Sequence, residues 1–265
     1  MGTSFSTPKV SGIASQIASI YPDSPALLYR ALIAQSARWP KWIVDEPMYY
    51  TEALRGMGYG LPDAERATKN DEYRVTLLTE DLREIGDGEA HVYRIPIPEE
   101  LSSVGEDYDI LVEVTLSYAA KPRRTRRSVK RYLSTWVDWC SSRSGESFET
   151  FSRRIYETGK STDDDGNFVW TIGDATNHGQ VSDFSNKNGT LQKDWTIIKS
   201  NQLSDAFCIA VRGHKGWGSL FKAKYSLIVS FEAIEQSIPI YEPIRTAIEV
   251  EVETPEIELE VRSDS

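Results

Sequence analysis

From Val10 to Tyr21, apolar residues recur at a spacing that places Val10, Ile13, Ala14, Ile17, Ala18 and Tyr21 on one face of a helix. Pro8 is expected to open that helix, because a first-turn position needs no N–H. The small residues Ser6, Ser11, Gly12, Ala14 and Ser15 would let neighbouring backbone approach closely. Tyr21-Pro22-Asp23 breaks the pattern. Ser24 then reads as the cap of a second helix with Pro25 at its first position, carried by Leu27, Leu28, Ala31 and Leu32 to Trp39. Residues 40–50 read as irregular.

Around Lys69-Asn70-Asp71-Glu72 the period changes, and from Tyr73 onward β-branched and aromatic residues alternate with polar ones. This predicts strands over residues 73–79, 91–97, 110–118, 132–140, 168–172, 194–200, 207–212 and 225–232. One helix interrupts them over residues 147–156, where Phe148, Phe151 and Ile155 fall at helical spacing. Strands joined by polar loops without a helical period between them imply an antiparallel sandwich or jelly roll. The whole chain is therefore expected to be α+β, in three segments: a helical one over 1–70, a β domain over 71–240 and an acidic tail over 241–265.

Composition narrows this picture. The net charge of −10 excludes a general nucleic-acid binder, yet residues 249–265 hold seven acids against Arg262, so most of the excess sits in the tail. There, Glu249 to Val261 alternates glutamate with aliphatic residues, broken by Thr254-Pro255, and reads either as an acidic edge strand or as a tail that pairs with a partner. Cys140 and Cys208 are expected to be free buried thiols. No apolar run approaches the roughly 20 residues that span a bilayer, so no membrane partner is expected, and the scarcity of cysteine favours a cytoplasmic protein.

The chemistry concentrates at the start. Gly2-Thr3-Ser4-Phe5-Ser6-Thr7-Pro8-Lys9-Val10-Ser11-Gly12 resembles the nucleophile segment of the subtilisin-like serine proteases, G-T-S-x-A-T-P-x-V-[AS]-G, with Ser6 in place of the usual alanine. Gly58-Tyr59-Gly60-Leu61-Pro62-Asp63-Ala64-Glu65-Arg66-Ala67 is similar to the family's closing G-x-G-x-[VIP]-[DN]-x-x-x-A segment, a glycine turn into a short last helix. The two landmarks extend the resemblance over residues 2–69. It implies that Ser4 is the nucleophile of a serine endopeptidase and that residues 1–70 are the C-terminal fragment of an α/β subtilisin-like catalytic domain. Behind it follows a jelly-roll-like β domain.

In that family the catalytic Asp and His precede the serine in the chain. Here His91, His178 and His214 all follow Ser4, and His178-Gly179 lies in a polar loop. The chain is thus expected to be a truncated, C-terminal portion, inactive alone, whose partners are a polypeptide substrate and the missing N-terminal part of the catalytic domain. Relatives with this layout can also work beside an ATPase partner. The alternative is a non-catalytic β-sandwich module that binds a protein or a carbohydrate, the helical segment being vestigial.

Three weaker signals remain. Residues 121–131 carry a dense basic run, read as a solvated loop. Asp163-Asp164-Asp165-Gly166-Asn167 resembles half a calcium loop with its glycine misplaced, and reads as a polar hairpin tip. No cofactor is expected, with a loosely held calcium ion on that tip as the alternative. Trp136 and Trp139 should lie on opposite sheet faces, so they cannot form one stacking platform.

Overall fold

The computed structural model describes residues 3–79, 81–102, 107–123, 132–158, 168–173, 179–181, 184–203, 205–218 and 220–245. The basic run over 124–131, the Asp163 to Asn167 tip, His178 and the acidic stretch over 249–261 lie outside them.

The chain is a mixture of helices and antiparallel sheets. The helical segment contains α1 (Thr3–Ile20), α2 (Ala26–Ser36), α3 (Lys41–Val44), α4 (Tyr50–Met57) and α5 (Ala64–Thr68). After it come β1 (Arg74–Leu78), β2 (Arg83–Ile85), β3 (Ala90–Pro96), a short α6 (Glu99–Ser102), β4 (Asp109–Ala119), β5 (Thr135–Ser141), α7 (Phe148–Thr158), β6 (Leu191–Lys199), β7 (Ala206–Lys215) and β8 (Ala223–Ala233). One sheet runs β1-β8-β4-β6 with β2 also on β8, the other β3-β7-β5, and every pairing is antiparallel.

Alternation along the strands builds the layers. Val112, Val114, Leu116, Val137, Trp139, Ile209, Val211, Val229 and Phe231 share one apolar core between the two sheets. The far face of the larger sheet is covered by α1, α2 and α5, with Ile13, Ile17, Leu28 and Leu32 packed against Ile228. The far face of the smaller sheet is covered in part by α7, whose Phe151 lies on Ala206, Cys208 and Ala210. Both cysteines are free. Residues 241–245 are helical, and Ile240 and Ile244 belong to the core between the sheets.

Several local expectations are corrected. The first helix extends back to Thr3, so Pro8 lies within it rather than opening it. In α2 it is Pro25 that occupies the N-cap position, and no side chain caps the helix. Residues 40–50, expected to be irregular, contain α3 and lead into α4, held by Trp39, Ile43, Tyr50 and Ala53 in a small cluster with Ile172 and Val181. Residues 168–172 form no strand; Thr171 N–H instead bonds the Trp195 carbonyl, and Phe168 and Trp170 fill the core.

Candidate functional site

Ser4 stands exposed in the first turn of α1. Its hydroxyl forms no hydrogen bond among the described residues. Pro8 has no N–H to close onto the Ser4 carbonyl, so this turn is braced instead by Thr7 Oγ1, which donates to the Thr3 carbonyl at 2.9 Å. The free N–H groups and partial positive charge of a helix start favour an anion close to Ser4. Further along α1, Ile13 and Ile17 are buried and Val10, Ala14, Ala18 and Tyr21 half-buried, which is the face the spacing predicted.

Neither described histidine serves Ser4. His91 Nδ1 lies 2.6 Å from the Tyr225 hydroxyl, itself 2.6 Å from that of Tyr93. His214 Nε2 lies 2.8 Å from Asp138 Oδ1, and its ring stacks on Trp136 with centroids 3.8 Å apart. Both belong to the smaller sheet's strands. Burial opposes ionisation of Asp138, but His214, Arg212 and Lys187 outweigh it and bring its pKa down to about 2. Trp136 is exposed and Trp139 buried, on opposite faces as alternation requires.

The second landmark folds as a clasp on the C-terminal end of α2. Gly58 and Gly60 both have positive φ, 58° and 102°. A Cβ on Gly60 would sit 2.2 Å from the Arg38 carbonyl oxygen, so only glycine lets the turn close. That closeness lets Arg38 and Leu61 exchange backbone hydrogen bonds of 3.0 and 2.9 Å. Asp63 then caps α5, its carboxylate accepting from Arg66 N–H at 2.8 Å.

Beneath the clasp lies a buried ionic cluster that the sequence reading missed. Glu113, 2% exposed, points from the middle of β4 away from the core between the sheets and toward the end of α2. It pairs with Arg38 and with Lys193 Nζ at 3.2 Å. Lys193 Nζ also donates to the carbonyls of Gln35 at 3.0 Å and Ala37 at 2.7 Å, closing the C-terminal end of α2 with positive charge. Arg66 pairs with Glu232, and Gln35 bonds both Ser230 and Thr115. Burial lowers the Lys193 pKa to about 8 against the pull of Glu113. Burial likewise opposes ionisation of Glu113, but Arg38, Lys193 and Arg66 prevail and hold its pKa below the usual carboxylate range. The available signal was a lone glutamate in the middle of the apolar run over 110–118.

An apolar groove of about 500 Å³ opens beside α1 and α2, lined among others by Val10, Tyr29, Ile33, Ala37, Tyr59 and Leu191. It lies on the same helical layer that carries Ser4. Among the described residues, no group of three or more His, Cys, Asp or Glu could hold a metal ion, and no helix is long and apolar enough to cross a membrane.

No family model matches the chain. It is 29% identical over 252 residues to an uncharacterized protein, y4bN, of Sinorhizobium fredii (strain NBRC 101917 / NGR234), a match covering 93% of this chain and 56% of that protein. The chain therefore spans little more than half the length of the curated relative it matches. A solved structure of tomato aspermy virus aligns at 10% identity over 65% of this chain and 85% of that chain, with a TM-score of 0.24, too low to bear on the fold.

Proposed function

We propose that the chain is the nucleophile-bearing, C-terminal portion of a subtilisin-like serine endopeptidase, followed by a jelly-roll-like β domain. The observation that carries this reading is the position of Ser4. Within a segment resembling that family's nucleophile motif, its hydroxyl is exposed in the first turn of an 18-residue helix. The closing glycine landmark supports the reading, since it folds into a turn and capped helix within the same helical layer.

In the assembled enzyme Ser4 Oγ would attack the peptide carbonyl, and the Ser4 backbone N–H, unpaired at the helix start, would share the developing oxyanion. Three further groups are needed: an imidazole base, the carboxylate that orients it, and a second oxyanion donor. No described residue supplies them to Ser4, and we assign them to polypeptide beyond this sequence. The apolar groove beside Val10 is where such polypeptide would pack, since exposed apolar surface of this kind marks an interaction face. The relative that extends well beyond the matched region is consistent with a longer protein.

The test is a fluorophosphonate probe applied to a longer protein that includes the residues encoded upstream. Labelling of Ser4, lost in Ser4→Ala with the fold intact, is the expected result. An unlabelled, folded longer protein overturns the reading. The 265-residue chain alone is expected to show no peptidase turnover, and turnover that disappears in Ser4→Ala would show that the base lies within it.

A further inference from the structure

One end of the two-sheet body carries a surface that the proposed catalytic role does not use. The segments 121–123, 132–135, 215–218 and 220–222 are knitted together there. Arg123 N–H bonds the Tyr132 carbonyl at 2.8 Å, Ser134 N–H bonds the Lys121 carbonyl at 2.9 Å, and Trp217 Nε1 bonds the Tyr132 carbonyl at 3.1 Å. Gly216 permits the approach, because a Cβ there would lie 2.2 Å from the Ser134 carbonyl oxygen. The result is an apolar surface rimmed by cations. Leu220 is 94% exposed and Tyr132 50%, Trp217 packs on Phe221, Lys121 Nζ stands 4.2 Å over the Phe221 ring, and the Arg123 guanidinium lies 5.9 Å over Trp217. Lys215 is exposed beside them, at the end of β7. A leucine almost wholly in water among aromatic rings and cations suits a ligand that alternates aliphatic and acidic groups.

The chain itself contains such a sequence, Glu256-Ile257-Glu258-Leu259-Glu260-Val261. Its three glutamates oppose Lys121, Arg123 and Lys215 in charge. Reach allows the same residues. The last described residue, Arg245, follows Ile240 and Tyr241, whose N–H groups bond Glu72 at the opposite end of the sheet, where β8 finishes. Travelling back along the 11 residues of β8 takes roughly 36 Å at about 3.3 Å per residue. Residues 246–255 provide about 33 Å when extended, so the first residues to arrive are those after Pro255. Glu249, Glu251 and Glu253 fall short.

We propose that residues 256–261 of this chain dock on the surface formed by Lys121, Arg123, Tyr132, Lys215, Trp217 and Leu220. The acidic segment would cover that surface in the same molecule, and a competing acidic peptide would have to displace it. Zero-length carbodiimide cross-linking of the full chain, read by mass spectrometry, tests this. Cross-links from Glu256, Glu258 or Glu260 to Lys121 and Lys215 are expected, several-fold more abundant than those to Lys69 and Lys199, which stand at the end where the tail departs. The yield should be unchanged on dilution and fall several-fold in Leu220→Ser, a site too exposed to affect folding, and in 1 M salt, where charges are screened beyond about 3 Å. Replacing the three glutamates with glutamine should abolish these cross-links. Equal capture by Lys69 and Lys199, or a yield indifferent to Leu220→Ser, overturns the proposal. A yield that rises with protein concentration assigns the surface to a second copy's tail and overturns docking within one molecule.

Discussion

The two faces of β4 make opposite use of the same strand. Toward the smaller sheet it presents Val112, Val114 and Leu116 to an apolar core, and toward the helices it presents Glu113, Thr115 and Ser117, also buried. The apolar face gains from the area removed from water and is indifferent to exact partners. The polar face gains little net energy, since two charges taken from water recover their hydration only in good geometry. It specifies how α2 sits instead: the Lys193 ammonium must meet the Gln35 and Ala37 carbonyls while Glu113 faces both Lys193 and Arg38. A slip of the helical segment would separate all of these at once. The difference teaches that the β body supplies the bulk of the burial, and the ionic face determines where α2 and α5 rest.

The contrast can be broken most sharply at Glu113. Glu113→Ala leaves Lys193 and Arg38 facing each other without their shared carboxylate, and about 3–5 kcal/mol of stability should be lost in urea unfolding. Glu113→Leu combined with Lys193→Met removes the two most buried charges and leaves Arg38 beside Glu232, and should cost less than the single change. On the other face Leu116→Ala should cost about 2–5 kcal/mol through a cavity, with no compensating second substitution among charged groups. If the double change on the ionic face proves as damaging as Glu113→Ala, the faces do not differ as described.

Asp138 tests a third environment, a buried carboxylate at the smaller sheet's edge. Its folded pKa of about 2 lies below the unfolded value of 3.8, so its stabilisation is complete above pH 4 and lost as pH falls toward 2. The loss should be about 2–3 kcal/mol at 1.36 kcal/mol per pH unit, seen as a falling urea midpoint over that window and missing in Asp138→Asn. A more local effect is expected at the clasp. Gly60→Ala forces a side chain into positive φ and against the Arg38 carbonyl, and about 1–3 kcal/mol should follow, with the backbone amides of Arg38 and Leu61 losing hydrogen-exchange protection before those of β4.

Much of this was readable from residue order. The period of α1, the placement of α2 and α7 and the run of strands followed from apolar spacing, because each element buries a stripe or a face that its own sequence marks. The failures have physical causes. Residues 40–50 show no helical period because α3 is a single turn whose Ile43 rests with Ile172 and Val181, more than a hundred residues away. Residues 168–172 alternate like a strand, yet the larger sheet already ends at β6 and their Phe168 and Trp170 are taken up by the core. Ser4 was legible as a motif. That Pro8 lies inside its helix was not, since proline suits the first turn equally well in isolation.

The sequence by itself determined the α+β character and the separation of Trp136 from Trp139, both consequences of local period and backbone sterics. Only the tertiary structure decided that Glu113, Lys193, Arg38, Arg66 and Glu232 meet under the clasp. Those five are scattered over nearly two hundred positions, and a charge carries no sign of its partner until the sheet register and the helix layer bring them within a few ångströms.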